Sequence, residues 1–491
     1  MVIGINPMMI LRSLLLLGFF SLGLLSTHGA ELKPDDLLQD PSPEAWKALE
    51  NYNATLTRSE FEERLKDVFD PTGALAPYLK ISDQQVEVFA QTNSIKSTNQ
   101  LTPVAVITFA SNSVIGPSPS PTSAPLPVPS PTLSPSSSPV PGISPLPTPA
   151  PKATPPTNAS IFSLLFESYI PPAPTPTQEP VTLATAKLPL AGLRVAIEPA
   201  DIGGDWGSME DRSTLYPGFG RIQEGDLNLL VSRILYERLK QEGAEVFVTR
   251  TTNAPVCTLS VAEVQQVVPQ VLAHRRYLLS KTFRSRTASV RESSPIYQNI
   301  VAEVLLTKNL EAKARAEKTR AAMKPDVTIV LQFDATAARH EANFPKINRN
   351  ILFVSGAYTA KEITSDPQQR LRLLTKLLQN VTPTEAKVAK AISDHLVEST
   401  GFPPVHYGNS WSTRSIPGNS YVVARNLLLN REHDGPVVVT EPYFMNQEET
   451  LLRLLAGDYE GTKLIAGKAR VSIYREYANS VADGLLEAYG K

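Results

Sequence analysis

L-R-V-A-I-E-P-A-D-I-G-G-D-W-G, residues 193–207, is the stretch on which the reading of this chain turns. Its opening, residues 193–197, is apolar enough for a strand buried on both faces. Glu224 then opens E-G-D-L-N-L-L, and a helix over 224–242 sets Leu227, Leu230, Ile234 and Leu235 along one broad side before Gly243 ends it. Working outward, strand-like runs recur at 244–249, 327–333, 351–354 and 437–440. Helical patterns fall at 308–323, twice within 367–399, at 446–455 and at 472–489. Strand and helix in alternation predict an α/β fold, a mostly parallel twisted sheet with helices on both faces. Sites in such sheets gather at the C-terminal ends of strands, and Asp201, Gln332 and Glu441 all lie at or just after such ends.

At 491 residues the chain exceeds the usual size of a single core, so more than one domain is expected. Its formal net charge of −1 gives no electrostatic case for binding nucleic acid or an anionic membrane. The single cysteine, Cys257, excludes an intramolecular disulfide framework and any cysteine-rich zinc site. With no paired histidine in its segment, it reads as a buried thiol rather than a nucleophile.

The first 30 residues read as a signal peptide. Arg12 precedes an apolar run at 14–25, too short for a comfortable membrane span, and Gly29 and Ala30 mark the expected cleavage region. An uncleaved anchor is the alternative. Either way the body of the protein is expected outside the cytoplasm, periplasmic or extracellular, with no stable membrane span once the signal is removed. Residues 31–112 form a small α+β module. Ser42-Pro43-Glu44 and Thr57-Arg58-Ser59-Glu60 are helix starts, and 86–89 and 104–109 are strand-like. Much of the total of 43 prolines is concentrated in 113–186, a Pro/Ser/Thr-rich linker that favours an extended spacer and so predicts independent motion of the units it joins. The α/β domain occupies 187–491.

The motifs of this last domain resemble those of zinc-dependent N-acetylmuramoyl-L-alanine amidases, which cut peptidoglycan between glycan and stem peptide. The family segment similar to I-D-P-G-H reads here Ile197-Glu198-Pro199-Ala200-Asp201, so Asp201 stands at the first histidine position. Glu224-Gly225-Asp226-Leu227-Asn228-Leu229 matches the segment of the glutamate ligand, similar to E-x-x-L-N-L. The segment similar to S-I-H-A-N-A reads Val330-Leu331-Gln332-Phe333-Asp334-Ala335, with Gln332 in place of the second histidine. Glu441, in G-P-V-V-V-T-E-P-Y-F-M-N, occupies the position of the catalytic glutamate.

The resemblance implies peptidoglycan as partner and a Zn2+ cofactor held at Asp201, Glu224 and Gln332. Zinc would lower the pKa of a bound water and Glu441 would take its proton. The ligand positions as they stand offer oxygen donors, which suit magnesium, manganese or calcium better than zinc. Two readings follow: an exported amidase, or a non-catalytic envelope module that binds peptidoglycan or a partner hydrolase. A structural envelope protein is a third. His340 is the histidine closest to a motif, while His274, His395, His406 and His433 lack ligand spacing. Asp334, Glu210 and Arg212 are candidate substrate contacts, with an ordinary surface salt bridge as the competing reading of Glu210 and Arg212. Asn426 and Tyr443 either contact substrate or pack.

Overall fold

The computed structural model describes residues 32–91, 102–111, 188–216, 220–279, 281–335, 345–405, 407, 409–410 and 412–490. The expected signal peptide and the whole of the Pro-rich linker lie outside the described residues, as do His340 and His406. No helix of the described residues is long and apolar enough to cross a membrane.

The N-terminal unit begins with helix α1 (Pro43–Lys47), capped by the Ser42 side chain, which accepts from the Ala45 N–H. Helix α2 (Arg58–Arg64) opens on a reciprocal capping box between Thr57 and Glu60. Strands β1 (Leu79–Ile81), β2 (Gln85–Val88) and β3 (Ala105–Thr108) follow as an antiparallel sheet in that order.

The main sheet has seven strands in the order β10-β11-β9-β12-β8-β4-β7. Along the chain these are β4 (Arg194–Pro199), β7 (Glu245–Val248), β8 (Val327–Leu331), β9 (Ile351–Ser355), β10 (Thr413–Ser415), β11 (Val422–Arg425) and β12 (Val437–Glu441). A separate hairpin, β5 (Ser213–Tyr216) and β6 (Gly220–Gln223), is inserted before the first long helix. Strands β7, β4, β8 and β12 run parallel, β9 is antiparallel to β12, and β11 is parallel to β9. The sheet is therefore mixed, with the parallel pairs in the majority.

Helices α3 (Glu224–Gln241), α4 (Pro295–Leu305), α5 (Glu311–Ala322), α6 (Pro367–Leu378), α7 (Val381–Thr400) and α8 (Ile473–Tyr489) surround it. One face buries Val195, Ile197, Ile329, Leu331 and Val438 against Leu227, Val231 and Leu235 of α3, Ile392 of α7 and Val481 of α8. Alternation along β4 turns Glu198 to the opposite face, where Arg315 of α5 meets it. Helices α7 and α8 cross closely at Gly484, where a Cβ would sit 2.5 Å from the Ile392 Cα.

The two units share one core. Trp46, Phe61, Phe69, Val86 and Ile107 form a single apolar cluster with Tyr358, Ile363, Leu373, Leu374, Leu377 and Val381. Backbone bonds cross the seam, from Ala357 N–H to Val68 O at 2.6 Å and from Tyr358 N–H to Phe69 O at 2.8 Å. The Arg370 guanidinium lies 4.1 Å from the centre of the Tyr78 ring. Packing of this kind corrects the expectation of independently moving units, because separating them would expose apolar surface of both.

Candidate functional site

Strands β4, β8 and β12 are neighbours and parallel, with Leu331 in register with both Pro199 and Thr440. Their C-terminal ends therefore coincide. Asp201 lies two residues past β4, Gln332 one past β8, and Glu441 is the last residue of β12. The loop after β4 is pinned from below. Arg250 donates to the carbonyls of Pro199 at 3.0 Å, Ala200 at 3.3 Å and Gly225 at 3.1 Å, and also to that of Asp201. Asn228 Nδ2 donates to Ala200 O at 2.7 Å. Asp201 itself takes a left-handed backbone conformation, φ 53°, a geometry uncommon for a residue with a side chain.

Glu224 is delivered by the first turn of α3, which presses against the same loop. A Cβ on Gly225 would lie 2.4 Å from the Ile202 carbonyl carbon, so only glycine admits this approach. The helix N-terminus also suits the acidic side chains of Glu224 and Asp226. Asp201, Glu224 and Gln332 are 7%, 1% and 7% exposed, and Glu441 is half-buried.

Two cations enter this group. Arg212 places Nε 3.6 Å from Asp201 Oδ1 and Nη1 3.5 Å from Glu224 Oε2. Lys308 Nζ donates to Asp201 Oδ1 at 3.0 Å. Gln332 Nε2 lies 3.4 Å from Asp201 Oδ2, at the outer limit of a hydrogen bond. Arg212 follows Asp211, whose backbone is left-handed at φ 57°, and leads into the β5–β6 hairpin. Lys308 sits in a π-helical turn, Leu306–Leu310, that joins α4 to α5.

The charges respond to one another. Burial works to raise the Asp201 carboxyl, but Lys308 and then Arg212 outweigh it and hold the group well below the usual carboxylate range. Burial likewise opposes the charge of Arg212, yet Glu224, Asp201 and Glu441, in that order, raise its pKa further. Glu441 is pushed up to about 8, first by desolvation and then by the charge of Asp334. Glu210 is pushed up to about 7 by burial, and its Oε2 accepts from the Ile202 N–H at 2.7 Å.

The reading of Glu210 and Arg212 as a surface salt bridge is corrected by these positions. Glu210 is a buried brace of the loop after β4, and Arg212 bridges two carboxylates. Asp334 N–H donates to Tyr443 O and its side chain accepts from the Ala335 N–H at 2.7 Å. Tyr443 packs among Phe333, Phe402 and Tyr477, and Asn426 Nδ2 donates to Glu362 Oε2 at 2.8 Å. His433 is buried against Glu198, and His395 Nε2 pairs with Glu487 at 3.2 Å. Cys257 is a buried thiol whose pKa burial raises to about 11.

Among the described residues no group of three His, Cys, Asp or Glu side chains is arranged to hold a metal ion. The donor chemistry at the three ligand positions does not fit zinc. Imidazole is missing, and both carboxylates already face cationic side chains of the same chain. A cavity of about 760 Å3 lined by Pro41, Pro43, Trp46, Pro103 and Val104 belongs to the N-terminal unit and includes none of these residues.

Lys308 and Arg250 were not singled out from sequence. A signal for Lys308 existed: Lys308, Glu311 and Arg315 are spaced three and four apart, the interval of one helical face. Lys308 and Arg315 reach Asp201 and Glu198, while Glu311 pairs with Arg315 and accepts from the Val256 and Cys257 N–H groups.

No family model matches the sequence, and no curated protein matches it. Among solved structures the chain is similar to Cwp6 from Clostridium difficile, at 13% identity and a TM-score of 0.29 over 61% of this chain. It spans only 29% of the length of that protein. The apo N-acetylmuramyl-L-alanine amidase Ami1 from Mycobacterium abscessus is similar at 13% identity, with a TM-score of 0.32 over 61% of this chain and 99% of that one. N-acetylmuramoyl-L-alanine amidase AmiC2 of Nostoc punctiforme gives 12% identity and a TM-score of 0.29 over 61% of this chain and 97% of that one. TM-scores this low carry no weight for function.

Proposed function

We propose that residues 187–491 are an amidase-like domain of an exported cell-wall protein, and that it binds peptidoglycan at the ends of β4, β8 and β12 with hydrolysis weakened or lost. The observation that carries this reading is the meeting of the motif positions. Asp201, Gln332 and Glu441 end adjacent parallel strands, and Arg212 joins Asp201 to Glu224. In the reading, Glu441 holds the position of the general base, and Asp201, Glu224 and Gln332 hold the ligand positions. Asp334 and the partly exposed Arg212 are the candidate polymer contacts, while Glu210 acts from beneath the loop. Peptidoglycan offers amides, hydroxyls and carboxylates, and this mixture of donors, acceptors and fixed charge is suited to such groups.

The test is co-sedimentation with purified peptidoglycan sacculi, with released stem peptides measured in the supernatant. The protein is expected to pellet with the polymer and to release no stem peptide, with or without added zinc. Substantial release that Glu441→Gln abolishes would show an active amidase instead. Neither binding nor release would remove the peptidoglycan reading altogether.

A further inference from the structure

We propose that Arg212 and Lys308 are resident cations that take the place of a metal at the ends of β4 and β8, so that the site is closed to zinc by charge as well as by the loss of imidazole. Asp201 and Glu224 are buried carboxylates, and buried carboxylates need compensation from a metal, a cation or a proton. Here the compensation is built into the chain. Arg212 reaches both groups, and Lys308 makes its hydrogen bond to the oxygen of Asp201 that Arg212 also faces.

Two separate local features bring these cations in. A π turn within an otherwise α-helical run changes the direction of the side chains it carries, and such turns are frequently placed at functional sites. Lys308 is the central residue of the turn Leu306–Leu310. Arg212 comes from a different segment, between the left-handed Asp211 and strand β5. A dication entering between Asp201 and Glu224 would meet both positive groups and would have to displace them. Replacing Asp201 and Gln332 by histidine restores the donors but takes away the partner of Lys308, so in that variant Arg212, still paired with Glu224, is the cation that keeps the site closed.

The ligand positions rest on the amidase reading, but zinc uptake is measured without polymer, so the two proposals fail separately. The experiment is equilibrium dialysis of the full chain against zinc, with circular dichroism to confirm folding. Wild type and the double variant Asp201→His/Gln332→His are expected to take up no stoichiometric zinc. Adding Arg212→Met and Lys308→Met to the double variant is expected to give one zinc per chain, bound at least a hundredfold more tightly. Stoichiometric zinc in the wild type that Glu224→Gln abolishes would overturn the proposal, as would equal affinity in the double and quadruple variants.

A second measurement covers the case in which the quadruple variant does not fold. Arg212→Met in the wild-type background is expected to lower Tm by several degrees at neutral pH, because it leaves two carboxylates undercompensated. Glu224→Gln added to it is expected to recover most of that loss. An unchanged Tm in Arg212→Met, or no recovery in the double variant, would show that the arginine is not the compensating charge.

Discussion

Glu198, three residues before Asp201, shows how much charge this fold buries beneath the strand ends. It is fully buried, pairs with His433, and has Arg315 Nη1 at 3.5 Å, while Arg315 Nε is 2.8 Å from Glu311. Burial acts to raise the Glu198 carboxyl, but His433 and then Arg315 prevail and hold it below its ordinary value. A carboxyl with a depressed folded pKa contributes stability that is complete above its unfolded value, near 4.5, and lost as pH falls through the folded value. Glu198→Gln is expected to destabilise the protein by about 3–5 kcal/mol at pH 7, since it takes the buried carboxylate from His433 and leaves Arg315 with Glu311 alone. Urea midpoints measured from pH 7 to pH 3 should fall more gently in the variant than in the wild type. Parallel curves would mean that Glu198 does not take part in the acid transition. The position of Glu198 at a strand end was legible in the sequence, but its partners were not. His433 lies 235 residues away in the chain, and nothing local connects the two.

At the scale of elements, capping chemistry and apolar runs were the readable signals. Ser42 and Thr57 start helices where their side chains predict; the strand-like run at 327–333 contains β8, and that at 437–440 covers all of β12 except its last residue, Glu441. The charged run at 308–323 was read as helical without its π turn or the α4 portion that precedes it. Its buried face defeats a reading by hydrophobic period, because Glu311 and Arg315 are hidden as an ion pair rather than as apolar groups. The β5–β6 hairpin was also missed, and it is the element that follows Arg212. Gly225 gives the element scale its test. Alanine favours a helix over glycine by about 1 kcal/mol, so propensity alone predicts that Gly225→Ala stabilises α3. The contact with Ile202 predicts the reverse. A Cβ at 2.4 Å from backbone must push the helix start away from the loop, at a cost of about 1–3 kcal/mol or more. A lower Tm in Gly225→Ala is therefore expected, and a higher one would show that the loop yields.

For the whole molecule, the composition of the Pro-rich segment pointed to a tether between free units, whereas the core joins them. Proline content describes a segment's own conformations and carries no information about whether the units at its ends adhere. The adhesion is visible only once Tyr358, Ile363, Leu373, Leu374, Leu377, Leu378 and Val381 are seen to cluster with the N-terminal aromatics and strands. Fully burying one side chain of this size is worth roughly 1.5–3 kcal/mol, so the seven together form a large part of what holds the units in place. A chain of residues 187–491 made alone is expected to expose this surface. It should bind a hydrophobic dye, aggregate at micromolar concentration and melt well below the full-length protein. Supplying residues 31–112 as a separate chain should reverse these properties, because the missing half of the core returns without any covalent link. Gly356 gives the same seam a finer probe: a Cβ there would stand 2.7 Å from Val68 O, on a backbone at φ 150°. Gly356→Ala should therefore weaken complementation in trans more than it weakens the intact chain, in which the two units remain tethered at high effective concentration. A fragment 187–491 that is soluble alone, with the Tm of the full protein, would show that the shared core contributes little and that the units are independent after all.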